Sequence, residues 1–147
     1  MAEPPITLEA KQSVFVRAPC EKVYDAFATA EGLDGWFTRG SQIDARPGGA
    51  LLFRWVDWGA EREITADVPG RVKEAKRPER LVFEWGEPGN ESTVEIVFEP
   101  RDGGTLVKLR EFGFRKIENV VENAGGWGEA LTLAKFWLEH GIATNTR

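Results

Sequence analysis

The chain has 147 residues and a mass of 16.4 kDa, which is the length of one ordinary domain. It contains nine Phe and six Trp but a single Tyr, His and Cys, which excludes a zinc site built from His and Cys and excludes an internal disulfide. The net charge of −5 and the pI near 5.1 argue against nucleic acid or an anionic membrane surface as a partner.

The first residues of the sequence do not predict a targeting segment. Residues 1–5 lack a basic stretch followed by an apolar run, and no segment approaches the 18 or more apolar residues of a membrane span. We therefore expect a cytoplasmic protein with one domain over residues 1–147 and a reduced thiol at Cys20. No metal or cofactor is expected.

The predicted elements follow a simple order. A strand over 11–18 precedes two short helical segments, at residues 19–27 and 31–37. From Ser41 onward the apolar period changes to two, and turn residues divide about six strands, the longer of which are predicted at 50–58, 68–75, 81–85, 93–99 and 105–112. Helical spacing returns over 116–140, the longest helix of the chain. Gly125 and Gly126 lie inside it and predict a bend or a close approach to another element.

This order indicates an α+β fold. One antiparallel sheet needs a cover for its apolar face, and only the last helix is long enough to provide it. A twisted sheet around one helix tends to leave an internal pocket.

Eight short motifs lie between residues 11 and 140. They are VRAP at 16–19, VYDAF at 23–27, WF at 36–37, PGG at 47–49, RLVFEW at 80–85, GGT at 103–105, EFGF at 111–114 and GW at 126–127. With them the chain resembles the START and birch-pollen-allergen (SRPBCC) superfamily, and within it the C-terminal domain of the activator of heat shock protein 90 ATPase.

The resemblance implies a helix-grip fold, in which a curved antiparallel sheet wraps around a long C-terminal helix and encloses a cavity for a hydrophobic molecule or lipid. It also suggests two other functions: an enzyme similar to the aromatase and cyclase members, or a chaperone-interacting module. The chain lacks a counterpart of the co-chaperone's N-terminal half, which weakens the chaperone interpretation. A monomer or a homodimer is expected.

The candidate site is an apolar face shared by the sheet and the last helix. Alternation places several aromatic rings on one sheet face, where they either fill a core or line a pocket. The residues predicted to line the cavity are Trp36, Phe53, Trp55, Val72, Phe83, Trp85, Ile96, Phe98, Leu109, Glu111, Trp127 and Leu131.

Two carboxylates interrupt the apolar strand faces. In one interpretation, Glu74 and Glu111 are buried and paired, hydrogen-bonded or protonated, and act as poised acids or ligand anchors. In the other, a bulge changes which face they occupy, or each reaches solvent at a strand end and pairs with an arginine. No catalytic residue is assigned, because one His and one Tyr are a poor supply for catalysis and His140 fits the end of a helix before Gly141. The leading hypothesis is non-catalytic binding of a small hydrophobic, aromatic or lipid-like molecule, with Glu111 as the polar anchor.

Overall fold

The computed structural model describes residues 4–145, so residues 1–3 of the predicted N-terminal tail and residues 146–147 of the C-terminal tail lie outside the described part. The elements are β1 (Ala10–Val16), α1 (Cys20–Ala28), α2 (Ala30–Trp36), β2 (Gln42–Ile43), β3 (Ala50–Trp58), β4 (Ile64–Lys76), β5 (Arg80–Trp85), β6 (Ser92–Arg101), β7 (Gly104–Phe112) and α3 (Ile117–His140). The predicted order of one strand, two short helices, six strands and a long helix is confirmed.

All seven strands form one antiparallel sheet in the order β1-β7-β6-β5-β4-β3-β2. The sheet is a meander from β2 to β7, and β1 pairs with β7 to form the edge opposite β2. Two irregularities interrupt the register: a shift between Trp55 and Trp58 in β3, and another between Val72 and Glu74 in β4. Each changes which side chains face inward, because side chains alternate strictly only along a regular strand.

The helices cover the inner face of the sheet. Thr29 begins α2, since its hydroxyl accepts a hydrogen bond from the backbone N–H of Gly32 over 2.9 Å. Helix α2 packs closely on α3 at Gly35, where a Cβ atom would lie 2.3 Å from the Trp137 ring. Helix α3 ends at His140 and is capped by Gly141, whose φ of 70° is the left-handed conformation that favours glycine.

Helix α3 runs without interruption through Gly125 and Gly126. A Cβ atom added at either glycine would meet nothing within 4 Å, so the predicted close approach is wrong at both positions. Gly35 and Gly128 make such approaches instead, to Trp137 and Gln12.

No helix among residues 4–145 is long and apolar enough to cross a bilayer.

The main core lies between the sheet and α3, and α1 and α2 pack against the same core. Fully buried side chains from opposite ends of the sequence meet there, among them Val23, Trp36, Leu81, Ile96 and Leu131. A smaller cluster of Ala10, Phe114 and Val120 joins the start of α3 to the edge strand β1. The remaining space between sheet and helix is a cavity at the N-terminal half of α3.

Candidate functional site: an aromatic cavity above a buried carboxylate

A cavity of about 360 Å³ lies between the sheet and the N-terminal half of α3. Six aromatic side chains dominate its wall: Phe37, Trp55, Trp58, Trp85, Phe114 and Trp127. The rest of the lining comes from Ile64, Val68, Gly86, Asn90, Ser92, Asn119, Glu122, Asn123 and Gly126. The volume is within the range of ligand pockets, which are commonly apolar and aromatic with a few polar groups.

The aromatic rings of the wall support one another. Trp85 stacks on Trp127 with ring centroids 5.5 Å apart, and Trp55 meets Trp85 edge to face at 5.7 Å. Phe37 contacts Trp55, Trp58 and Trp127 at 5.3 to 5.6 Å. Aromatic pairs in these geometries contribute about 0.5–1.5 kcal/mol beyond their buried area. Five of the six rings, those of Phe37, Trp55, Trp58, Trp85 and Trp127, therefore form one connected set.

Glu111 lies directly behind this wall with no exposed surface. Its oxygens accept hydrogen bonds from the indole N–H groups of Trp85 (2.9 Å) and Trp127 (2.8 Å), from the Ser92 hydroxyl (2.5 Å), and from the Asn123 amide (3.2 Å to each oxygen). Four donors from three elements thus converge on one carboxylate. Burying the group without such partners would cost several kcal/mol.

The arrangement has a chemical consequence for Glu111. Indole and amide N–H groups can only donate, so both carboxylate oxygens act as acceptors. A general acid or base must exchange a proton with a substrate at hydrogen-bond distance, whereas the oxygens of Glu111 already accept hydrogen bonds from Trp85, Trp127, Ser92 and Asn123. The geometry fits a residue that positions Trp85 and Trp127.

Glu74 has a different environment. The bulge between Val72 and Glu74 shifts the register, and the carboxylate accepts a hydrogen bond from Arg80 over 3.0 Å. Its side chain is 47% exposed. Of the two alternatives that the sequence left open, the bulge with an arginine partner describes Glu74, and the buried, hydrogen-bonded carboxylate describes Glu111.

The structure divides the predicted cavity residues into two groups. Trp55, Trp85 and Trp127 line the cavity, and Glu111 supports it from behind. The others pack in the main core and are not part of the lining: Trp36, Phe53, Val72, Phe83, Ile96, Phe98, Leu109 and Leu131. Trp36 donates its indole N–H to the Ala26 carbonyl over 3.0 Å, which holds α2 against α1.

Several lining residues were missed for identifiable reasons. Trp58 faces the cavity because of the register shift in β3, where Asp57 has a φ of 51°. No sequence pattern predicts that shift. Asn119, Glu122, Asn123 and Gly126 of α3 also line the cavity, and the sequence-based prediction includes none of them. Their spacing of three and four residues places them on one helix face with Trp127, and this was a usable signal.

Two indole N–H groups of the wall have no partner. The Nε1 atoms of Trp55 and Trp58 are buried and form no hydrogen bond within residues 4–145.

No cluster of three or more His, Cys, Asp or Glu side chains in the same described range is arranged to hold a metal ion.

A curved antiparallel sheet around a long C-terminal helix, with a cavity between them, defines a helix-grip domain of the SRPBCC superfamily. The family model described as Activator of Hsp90 ATPase homolog 1-like protein matches residues 17–135. The chain belongs to this family. No curated protein matches the chain significantly.

Solved structures with the same fold include CalU16 from Micromonospora echinospora, with a TM-score of 0.74 and 21% identity over 94% of this chain and 84% of that one. The Aha1 dimer from Colwellia psychrerythraea has a TM-score of 0.78 and 17% identity, covering 92% of this chain and 99% of that one. DynU16, a protein of the dynemicin biosynthetic locus, has a TM-score of 0.78 and 19% identity over 93% of this chain and 49% of that one. At these identities the likeness establishes the fold.

Proposed function

We propose that the protein is a non-catalytic binding domain that holds a small hydrophobic, aromatic or lipid-like molecule between its sheet and α3. The observation that carries this proposal is the cavity of about 360 Å³ with six aromatic side chains in its wall. Removing apolar ligand surface from water contributes about 25 cal/mol per Å². A flat ring inserted between tryptophans gains this term together with stacking.

The support behind the wall strengthens the proposal. Trp85 and Trp127 are each fixed by a hydrogen bond to Glu111 as well as by their mutual stacking. Rings held in this way lose little side-chain entropy when a ligand binds. The buried carboxylate of Glu111 therefore preorganises the aromatic wall for binding.

The binding test is a titration of the protein with 2-naphthalenemethanol, followed by calorimetry and by tryptophan emission. Four of the six tryptophans line the cavity, so binding is expected to change the tryptophan emission until the site is saturated. The emission change and the calorimetric heat are expected to give the same dissociation constant. Native mass spectrometry of freshly purified protein would detect a retained ligand as mass added to that of the chain. Unchanged emission and no heat across an aromatic and lipid panel would contradict the proposal.

A chaperone-directed role is the second candidate, and the match to the family of activators of Hsp90 ATPase favours it. The test is the ATPase rate of a purified chaperone of the Hsp90 class with and without this protein. Stimulation that survives in Gly126→Leu, whose new side chain would occupy the cavity, would support a role separate from ligand binding. No change in the rate, together with no chaperone in a pull-down, would remove this candidate.

The assembly state is proposed to be a monomer or a homodimer, in a cytoplasmic setting. The solution structure of the Colwellia psychrerythraea Aha1 is a dimer, which makes the homodimer a concrete alternative. Sedimentation equilibrium distinguishes the two states, since the monomer has a mass of 16.4 kDa. A larger assembly would contradict both.

A further inference from the structure

The cavity wall carries an uneven set of charges. Glu122 is the single charged side chain among the described lining residues, and the lining includes no Lys, Arg or His. Glu122 lies on α3, one residue before Asn123 and four before Gly126, and its side chain is exposed. A ligand in the cavity would therefore meet a negative charge at the wall with no positive charge beside it.

A second carboxylate lies behind the wall. Glu111 is completely buried, and all four groups that donate to it are uncharged: two indoles, a hydroxyl and an amide. Such donors stabilise a carboxylate without cancelling its net charge. Because the surroundings are apolar and aromatic, its field is screened less than that of a surface carboxylate.

No described lining residue carries a positive charge that would offset these two charges. Arg115 follows the lining residue Phe114 and keeps its positive charge, but it lies outside the lining, where its guanidinium donates to the backbone carbonyls of Glu91 and Gly113. The unpartnered indole nitrogens of Trp55 and Trp58 are buried atoms, so an anion would reach them only if the rings moved.

We propose that the cavity selects ligands by charge: it takes aromatic molecules that are uncharged or cationic, rejects their carboxylate counterparts, and uses Glu122 as the specificity-determining residue of its wall. This inference rests on the proposed function as a binding domain. Tryptophan faces attract cations, and the two carboxylates add to that attraction. Both ions give up hydration on entering an apolar site, but the carboxylates offset this cost for a cation and repel an anion.

The test uses three probes that share one ring system and differ in charge at pH 7. They are 2-naphthalenemethanol, 2-naphthylmethylammonium and naphthalene-2-carboxylate. We expect the carboxylate to bind about tenfold more weakly than the alcohol or worse, and the ammonium to bind at least as tightly as the alcohol. A carboxylate that binds as tightly as the alcohol would overturn charge selection while leaving the proposed binding function intact.

The role of Glu122 is tested by Glu122→Gln against Glu129→Gln. Both variants remove one negative charge from α3, but residue 129 lies about 10 Å further along the helix axis and outside the lining. We expect the alcohol-to-carboxylate affinity ratio to fall about threefold in Glu122→Gln and to keep its wild-type value in Glu129→Gln. Equal changes in both variants would overturn the assignment to Glu122. Absence of binding by all three probes would overturn charge selection among aromatic ligands, and if the lipid panel also gives neither heat nor a change in emission, the proposed function itself fails.

Discussion

The indole nitrogen of Trp127 on α3 donates a hydrogen bond to the buried carboxylate of Glu111 on β7 over 2.8 Å. This contact links the helix to the sheet behind the wall of the cavity. Since Trp85 on β5 donates to the other oxygen of the same carboxylate, the two stacked tryptophans share one anchor. Stability and ring orientation in this part of the molecule therefore depend on the same group.

Replacing Glu111 by Gln is expected to lower the free energy of unfolding by about 1–3 kcal/mol. Glutamine turns one acceptor oxygen into an NH₂ donor, which then faces donors from Trp85 and Ser92 or from Trp127. The measurement is urea unfolding followed by far-UV circular dichroism. Glu74→Gln serves as the control, because the exposed Glu74–Arg80 pair contributes about 0–1 kcal/mol. Equal losses in the two variants would show that the four donors do not depend on Glu111.

Filling the cavity from the helix side separates binding from stability. A Leu side chain at position 126 would enter the cavity without a clash at its Cβ, since Gly126 lines the cavity and has no atom within 4 Å of a built Cβ. We expect Gly126→Leu to weaken binding of 2-naphthalenemethanol by at least about tenfold, the cost of losing ligand contact area. Calorimetric titration measures this change.

The matched control is Gly125→Leu. Gly125 occupies the same helix with the same open surroundings but lies outside the lining. Both substitutions replace a helical glycine, so both should gain up to about 1 kcal/mol in helix stability. Wild-type affinity is expected in Gly125→Leu, and a matching loss of binding there would locate the ligand elsewhere.

Glu95 on the outer sheet face predicts a pH-dependent contribution to stability. Its carboxylate pairs with Arg110 on β7 over 2.6 Å and with Arg80 on β5 over 2.5 Å. The hydrogen bond from Arg110, with further help from the Arg110 and Arg80 charges, holds the pKa of Glu95 below its ordinary value of 4.5. Because the folded-state pKa is depressed, the stabilisation is present above pH 4.5 and is lost as the pH falls through the folded-state pKa.

The corresponding experiment compares wild type with Glu95→Gln by urea unfolding at several pH values. At pH 7 the variant is expected to be less stable by about 1 kcal/mol, a value reduced by the partial solvent screening of the pair. The difference should shrink as the pH falls below 4.5. A difference that stays constant across this range would mean that packing, not charge, makes residue 95 important.

Much of the fold could be predicted from local patterns in the sequence. Apolar residues at a period of two predict strands, and those at three to four predict helices, because these periods place side chains on one face. The lopsided use of Trp and Phe also pointed to an aromatic interior. Trp55, Trp85 and Trp127 were identified in this way, and so was Glu111, as a carboxylate on an apolar face.

The tertiary structure alone decided where the interior is filled and where it is open. A period states which face a residue occupies, but not how closely the opposite element approaches it, so Phe83 and Trp85 look alike in sequence although only Trp85 lines the cavity. The shift that turns Trp58 inward depends on backbone geometry at Asp57. The donors to Glu111 come from β5, β6 and α3, up to 26 residues away along the chain, and only the packing of helix on sheet brings them to one carboxylate.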